Sequence, residues 1–198
     1  MRIPLPGRFN VLNVLGAVAV ARELGVDDAT IATAVPLAGR VPGRFEPVDE
    51  GQSFAVLVDY AHTPDSLENV LRAARQLAPG RVICVFGAGG DRDRGKRPEM
   101  GRIAGELADV AIVTSDNPRS EDPDAIIAEL VAGMDASPIA ETDRRAAIER
   151  AVGLADEGDV VVIAGKGHEQ GQEFAGGHKI PFDDVAVARE ALRARLVA

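Results

Sequence analysis

Four polar turns along the chain carry side chains that can bind small charged molecules, and each turn directly follows an apolar run. They are residues 59–64, 87–98, 116–119 and 165–169. The third reads Asp116, Asn117, Pro118 and Arg119, and an arginine fixed in a turn can bind a carboxylate through two parallel charge-assisted hydrogen bonds. Asp, Asn and Pro are also frequent in ordinary turns, so this run taken alone favours a structural loop. The other turns at equivalent positions shift the balance toward a binding site.

The runs before these turns predict strands of a parallel sheet. β-rich segments at residues 54–59, 81–86, 109–114 and 159–164 alternate with helical patterns at 64–77, 98–107, 123–134 and 144–154. Such alternation is typical of an α/β, Rossmann-like fold with a mostly parallel sheet flanked by helices. Residues 138–140 predict a short further strand, 173–182 a C-terminal hairpin and 184–196 a final helix. Because ligands of doubly wound sheets bind beyond the carboxyl ends of the strands, the four turns are expected to meet there.

The first residues differ from the rest. Residues 9–24 predict a helix that is apolar nearly all round, and Asp27 is expected to cap a second, shorter helix. A helix of that kind belongs inside a larger body. We therefore expect residues 1–46 to be the last helices of a preceding, truncated domain and residues 47–198 to form the α/β domain.

Composition excludes several classes of function. The 198 residues are 46% hydrophobic and carry a net charge of −9, which disfavours nucleic acid and anionic membranes as partners. Cys84 lies in an apolar run and is expected to be a buried small hydrophobe. No signal peptide or apolar span is evident, so a cytoplasmic location is expected.

Other patterns are weaker. Residues 90–96 spell G-x-x-x-x-G-K, but Arg97 follows where a phosphate-binding P-loop needs Ser or Thr. His62, His168 and His178 lack the spacing of a metal site, so no metal ligand is predicted in this chain. His62 and His168, at strand ends, are equally compatible with ligand contact and with structural hydrogen bonds. Lys96, Arg97 and Lys166 are expected to form a solvated positive rim that attracts anions.

Together the motifs resemble the C-terminal domain of the Mur ligases. The resemblance rests on residues 59–64, 89–98, 116–119 and 165–169 in this order, with 39–46 and 7–10 plus Asn13 similar to the end of that family's central ATPase domain. It covers essentially the whole chain, and the match is best to the members that add diaminopimelate. In such ligases the P-loop, the magnesium ligands and the UDP-sugar site lie in preceding domains, so the chain resembles a C-terminal fragment that is inactive alone.

The resemblance implies ATP-dependent amide formation in peptidoglycan synthesis. ATP, with Mg²⁺ held mainly by the central domain, would activate the D-glutamyl carboxylate of UDP-N-acetylmuramoyl-L-alanyl-D-glutamate, and meso-diaminopimelate would attack it. The implied diaminopimelate-binding residues are Arg92, Asp116, Asn117, Pro118, Arg119, Gly165 and Glu169. The implied ATP-binding residues are Asn10, Asn13, Arg44, Asp59 and His62. The implied partners also include the preceding domains of the same ligase.

Two alternatives remain open on the sequence. A related amide ligase, such as a lysine-adding Mur ligase, a cyanophycin synthetase or a folylpolyglutamate synthetase, would share the fold. Arg119 argues against lysine as substrate, because lysine has no distal carboxylate for a cation to bind. The other alternative is a non-catalytic binding module that works alone.

Overall fold

A computed structural model describes residues 3, 5, 7–135 and 137–197. The chain forms two compact units, Met1–Pro42 and Gly43–Ala198. The division falls before Glu46, because that residue starts a strand that pairs within the second unit. The interpretation of the first unit as the end of a preceding domain remains a prediction.

The first unit is helical. It consists of α1 (Arg8–Glu23), α2 (Asp28–Ala34) and a short 3₁₀ turn (Val35–Leu37). Asp27 caps α2 as predicted, since its carboxylate accepts a hydrogen bond from the Thr30 amide at 2.9 Å. Large apolar side chains of this unit are solvent-exposed, including Leu12, Leu15 and Leu24.

The second unit contains eight strands and five helices within the described residues. The strands are β1 (Glu46–Pro47), β2 (Ala55–Asp59), β3 (Val82–Phe86), β4 (Val110–Val113), β5 (Ile139–Ala140), β6 (Val160–Ala164), β7 (Gly171–Glu173) and β8 (Lys179–Pro181). The helices are α3 (Pro64–Leu77), α4 (Lys96–Leu107), α5 (Pro123–Val131), α6 (Arg144–Leu154) and α7 (Asp184–Val197).

Six strands form one sheet in the order β1-β2-β6-β3-β4-β5, and β7 and β8 form a separate antiparallel hairpin. All neighbours in the large sheet are parallel except β1, which runs antiparallel to β2. The predicted fold class is therefore confirmed. Strand β1 was not predicted, because it is short and contains Pro47, which a sheet tolerates only at an edge.

Helix starts follow the sequence signals closely at α3 and less closely at α4. Thr63 and Ser66 form a capping box, and Pro64 occupies the first helical turn. Helix α4 begins at Lys96 rather than at the predicted Pro98. A proline fits inside the first turn because the amides there have no intrahelical partner to lose.

The sheet core is built from strands that are apolar on both faces. Strands β3 and β6 are buried along their whole length, as helix-covered parallel strands should be. Cys84 in β3 has no exposed surface, and desolvation raises the pKa of its thiol to about 12. The prediction that Cys84 is a buried small hydrophobe is therefore confirmed.

A buried ion pair ties two helices to the edge of the sheet where the turns lie. Arg144, at the start of α6, donates to both carboxylate oxygens of Asp184 on α7, at 2.8 and 2.7 Å. The same guanidinium donates to the carbonyl oxygens of Ala164, at 3.1 Å, and Ser115, at 3.4 Å. Both ionised side chains are fully buried. The carboxyl ends of β4 and β6 are thus joined to the helices that cover them.

Replacing Arg144 with Met should destabilise the domain strongly. The substitution leaves the Asp184 carboxylate buried without its partner, so the free energy of unfolding should fall by about 3–5 kcal/mol. Urea denaturation followed by circular dichroism measures this loss. Arg145→Ala is the matched control, since the exposed Arg145–Glu190 pair should contribute no more than about 1 kcal/mol. Equal losses from the two variants would contradict the structural role assigned to Arg144.

Candidate functional site

The four polar turns converge at one edge of the sheet and enclose a cleft of about 520 Å³. Residues from the turns after β2, β3, β4 and β6 line it, as expected for the carboxyl ends of parallel strands. The lining residues are Tyr60, His62, Thr63, Gly89, Arg92, Asp93, Lys96, Asp116, Asn117, Arg119, Gly165 and Glu169. Of the predicted diaminopimelate-binding residues, only Pro118 does not line this cleft. The predicted ATP-binding residue His62 does line it.

Beneath the cleft lies a buried ammonium group. Lys166 Nζ donates to Asn117 Oδ1 at 2.8 Å and lies 3.3 Å from both Asp116 Oδ1 and Glu169 Oε2. Its side chain is 0% exposed, so the prediction that Lys166 lies on a solvated rim is wrong. Ion pairing explains the difference, because two carboxylates and an amide oxygen replace the water that the ammonium loses.

Asn117 is oriented by bonds to three separate groups. Its Oδ1 accepts from Lys166 and, at 2.9 Å, from the backbone amide of Glu173. Its Nδ2 donates to Glu169 Oε2 at 2.9 Å. The carboxylate of Glu169 is therefore held in place from two sides and is still about one-third exposed toward the cleft.

Arg119 adopts an uncommon backbone conformation that directs its guanidinium into the cleft wall. Its φ is 51°, in the left-handed region that side chains other than glycine rarely occupy. Its Nη1 donates to the Gly90 carbonyl at 2.8 Å, and its Nε lies 3.4 Å from Glu173 Oε2. Among the described residues Nη2 has no partner, so part of the guanidinium fork is open to donate to a ligand carboxylate.

The loop after β3 is held against the turn after β4. The Gly90 amide donates to the Asn117 carbonyl at 2.9 Å, and a Cβ added at Gly90 would lie 1.9 Å from the Pro118 oxygen. Only glycine permits this close approach. The loop carries Arg92, whose exposed guanidinium donates to the Asp91 carbonyl at 2.9 Å.

Arg97 stabilises the same loop from below. It is fully buried and forms ion pairs with Glu121 and Glu129, each at 2.8 Å. The Arg97 hydrogen bond lowers the pKa of Glu121 to about 2, so the pair stays ionised at neutral pH. The predicted solvated position of Arg97 is therefore wrong, for the same reason as for Lys166. Lys96 is half-buried and donates to the His62 carbonyl at 2.6 Å, and burial lowers its pKa.

The resemblance of residues 90–96 to a P-loop does not extend to geometry. A phosphate cradle needs backbone amides that point at the ligand, whereas here the amides of Gly90, Asp91 and Gly95 donate to Asn117, Glu121 and Asp93. The interpretation of this loop as something other than a nucleotide cradle agrees with these bonds.

The predicted ATP-binding residues of the second unit lie around the turn after β2. Asp59 is buried, its Oδ2 accepts from the Phe45 amide at 2.6 Å, and burial raises its pKa. Arg44 is exposed, and its guanidinium lies 4.8 Å from the centroid of the Tyr60 ring. His62 Nδ1 donates to the Tyr60 carbonyl at 2.8 Å. Arg44 and His62 thus offer polar groups near the cleft, while Asp59 supports the backbone.

The other two predicted ATP-binding residues lie in the first unit. Asn13 Nδ2 donates to Asn10 Oδ1 at 3.1 Å, so the pair shares one face of α1 as the i, i+3 spacing predicts. Asn10 is buried and Asn13 is exposed.

Among residues 3, 5, 7–135 and 137–197, no group of three His, Cys, Asp or Glu side chains could hold a metal ion. Within the same part of the chain, no helix is both long and apolar enough to cross a bilayer.

Comparison with known proteins places the chain in a family. Residues 43–167 match the family described as "Mur ligase, glutamate ligase domain". The UDP-N-acetylmuramoyl-L-alanyl-D-glutamate–2,6-diaminopimelate ligase of Syntrophomonas wolfei is 52% identical over an alignment of 200 residues that covers 99% of this chain and 41% of that protein. A solved structure of a ligase with the same name superposes with a TM-score of 0.77 at 43% identity, covering 99% of this chain and 40% of the other.

A more distant relative shares the fold alone. The bifunctional folylpolyglutamate synthase/dihydrofolate synthase of Yersinia pestis, solved with AMPPNP and a manganese ion, has a TM-score of 0.67 at 24% identity and is covered to 41% of its length. The chain thus spans about two-fifths of the length of the relatives that it matches. On the family match and the sequence identity together, the chain belongs to the Mur ligase family, and residues 43–167 correspond to its glutamate ligase domain.

Proposed function

We propose that this chain is the C-terminal part of an ATP-dependent amide ligase that adds meso-diaminopimelate to UDP-N-acetylmuramoyl-L-alanyl-D-glutamate in peptidoglycan synthesis. The observation that carries the proposal is the cleft in which Arg119, Arg92 and Glu169 lie together. Its cations and its carboxylate match the carboxylates and ammonium groups of a diamino dicarboxylic acid. The Syntrophomonas wolfei ligase that is named for this reaction shares 52% of the matched residues.

Within the cleft, the proposed roles follow from charge. The open part of the Arg119 fork binds the distal carboxylate of diaminopimelate, and Arg92 supplies a second positive charge. The Gly165 carbonyl and the exposed side of Glu169 accept from an ammonium group of the substrate. Asp116, Asn117 and Pro118 shape the turn that presents Arg119, since both polar side chains already face Lys166.

The proposed reaction proceeds through an acyl phosphate. ATP transfers its γ-phosphoryl group to the free D-glutamyl carboxylate, and the amino nitrogen of diaminopimelate attacks the acyl carbon, so that phosphate leaves and an amide forms. The part of this chain is to orient the amine and to contact ATP. The proposed ATP contacts of the second unit are Arg44 and His62, and those of the first unit, taken by itself, are Asn10 and Asn13 on α1. Mg²⁺ is proposed to be held mainly by the preceding central domain of the ligase. ATP and a UDP-linked acceptor assign the reaction to the cytoplasm.

Arg119 separates this proposal from its alternatives. The lysine added by a lysine-adding ligase has no distal carboxylate that Arg119 could bind. The alternative of a stand-alone binding module differs in another way, because such a module needs no partner domain. A P-loop sequence upstream in the source gene would favour the ligase over the binding module.

The 198-residue chain alone should neither hydrolyse ATP nor form an amide. The amides of the loop after β3 are engaged internally, and the described residues provide no metal cluster. Phosphate release from the purified chain, supplied with MgATP and both other substrates, measures this. Turnover above the buffer control would assign a complete catalytic site to these residues.

Replacing Arg119 with Ala in the full-length ligase should reverse its amino-acid preference. The distal carboxylate loses a bidentate partner, which costs about 2–4 kcal/mol, or roughly 30- to 900-fold in kcat/KM for diaminopimelate. The weak use of lysine should stay level or improve, because lysine has no such carboxylate. Amide-forming assays with each amino acid in parallel measure the two effects.

Two further variants control for nonspecific damage. Arg119→Lys should rescue diaminopimelate use only partly, since an ammonium keeps the charge but not the fork. Arg150→Ala removes an exposed arginine of α6 and should change neither activity. If Arg119→Ala lowered activity on both amino acids by the same factor, Arg119 would hold the turn together and not recognise the substrate.

A further inference from the structure

The carboxylate of Glu173 lies next to the Arg119 guanidinium and has no role in the proposed function. Glu173, the last residue of β7, places its Oε2 3.4 Å from Arg119 Nε. The two side chains are 30% and 20% exposed, so solvent reaches the pair without dominating it. Glu173 lines a groove next to the cleft, and the two spaces share Asn117, Arg119 and Glu169 as walls.

The position of Glu173 is fixed by its backbone. Its amide donates to Asn117 Oδ1 at 2.9 Å, and its carbonyl accepts from the Arg119 amide at 3.0 Å. These bonds attach the β7–β8 hairpin to the turn that carries Arg119. The carboxylate is therefore presented to the guanidinium by the fold, unlike a surface ion pair that forms between two flexible side chains.

The geometry of the guanidinium makes this contact consequential. An arginine fork can bind a carboxylate bidentately along its Nε–Nη2 edge or along its Nη1–Nη2 edge. In Arg119, Nη1 donates to Gly90 and Nε faces Glu173. A ligand carboxylate that uses the Nε–Nη2 edge must displace Glu173, and one that uses the other edge binds a cation already partly neutralised.

We propose that Glu173 is a resident counter-ion of Arg119 that competes with the distal carboxylate of the amino-acid substrate. This inference rests on the proposed function and adds a specificity-determining residue to it. Glu173 weakens the binding of every ligand that depends on Arg119 for its carboxylate. It has no such effect on an amino acid that lacks that group.

The test is Glu173→Gln in the full-length ligase, with KM and kcat measured for diaminopimelate and lysine. Removing the competing charge should lower the KM for diaminopimelate about two- to fivefold, the range expected for a partly exposed ion pair, with kcat nearly unchanged. The KM for lysine should stay level or rise. The backbone bonds of Glu173 are retained in the variant, so the hairpin stays attached.

The matched control is Glu157→Gln. This exposed glutamate precedes β6, at the opposite edge of the sheet from the cleft, and its loss changes net charge by the same amount. It should leave both KM values unchanged. In an Arg119→Ala background, Glu173→Gln should also have no effect, because the partner that it competes for is gone.

An unchanged or raised KM for diaminopimelate in Glu173→Gln would overturn the inference, and a raised value would identify Glu173 as an acceptor for the substrate ammonium. An equal fall in the KM for lysine would also overturn the inference. So would a fall in the KM for diaminopimelate that persists in the Arg119→Ala background. These outcomes differ from failure of the proposed function, in which the unmodified ligase would not use diaminopimelate at all.

Discussion

The arrangement of the cleft depends on one buried cation. Lys166 Nζ has no exposed surface and contacts Asp116, Asn117 and Glu169, which belong to the turns after β4 and β6. Burying an ammonium is unfavourable unless several acceptors surround it. The turns therefore cannot shift independently, because separation would strand either the cation or its carboxylates. The orientation of Asn117 and the exposed side of Glu169 follow from this constraint.

Arg97 is a second buried cation, and it stabilises the neighbouring loop after β3. Its ion pairs with Glu121 and Glu129 and its hydrogen bond to the Gly89 carbonyl fix the segment that carries Gly90. The Gly90 carbonyl in turn accepts from Arg119. Arg119 thus receives support from the loop after β3 and from the hairpin, which together hold it in a left-handed backbone conformation. Such strain persists where surrounding structure determines it, and it is concentrated at functional sites. A guanidinium held in this way loses little freedom when it binds a carboxylate.

Much of this could be predicted from sequence, because its signals are local. Apolar runs marked the parallel strands, Thr63 and Pro64 marked the start of α3, and the position of the turns after strands predicted their convergence. The burial of Lys166 and Arg97 could not be predicted this way. Their partners are separated from them by up to 50 residues for Lys166 and 32 for Arg97, so a charged side chain that looks solvated is neutralised only in the fold. The contact between Glu173 and Arg119 could not be predicted for the same reason.

A crystal structure of the full-length ligase with bound meso-diaminopimelate would show whether Arg119 binds the distal carboxylate of the substrate. The distal carboxylate is expected to lie within about 2.7–2.9 Å of Arg119 guanidinium nitrogens, while Lys166 keeps its bond to Asn117. A carboxylate bound instead to Arg44 or Lys179, with the Arg119 fork left to protein groups, would contradict it.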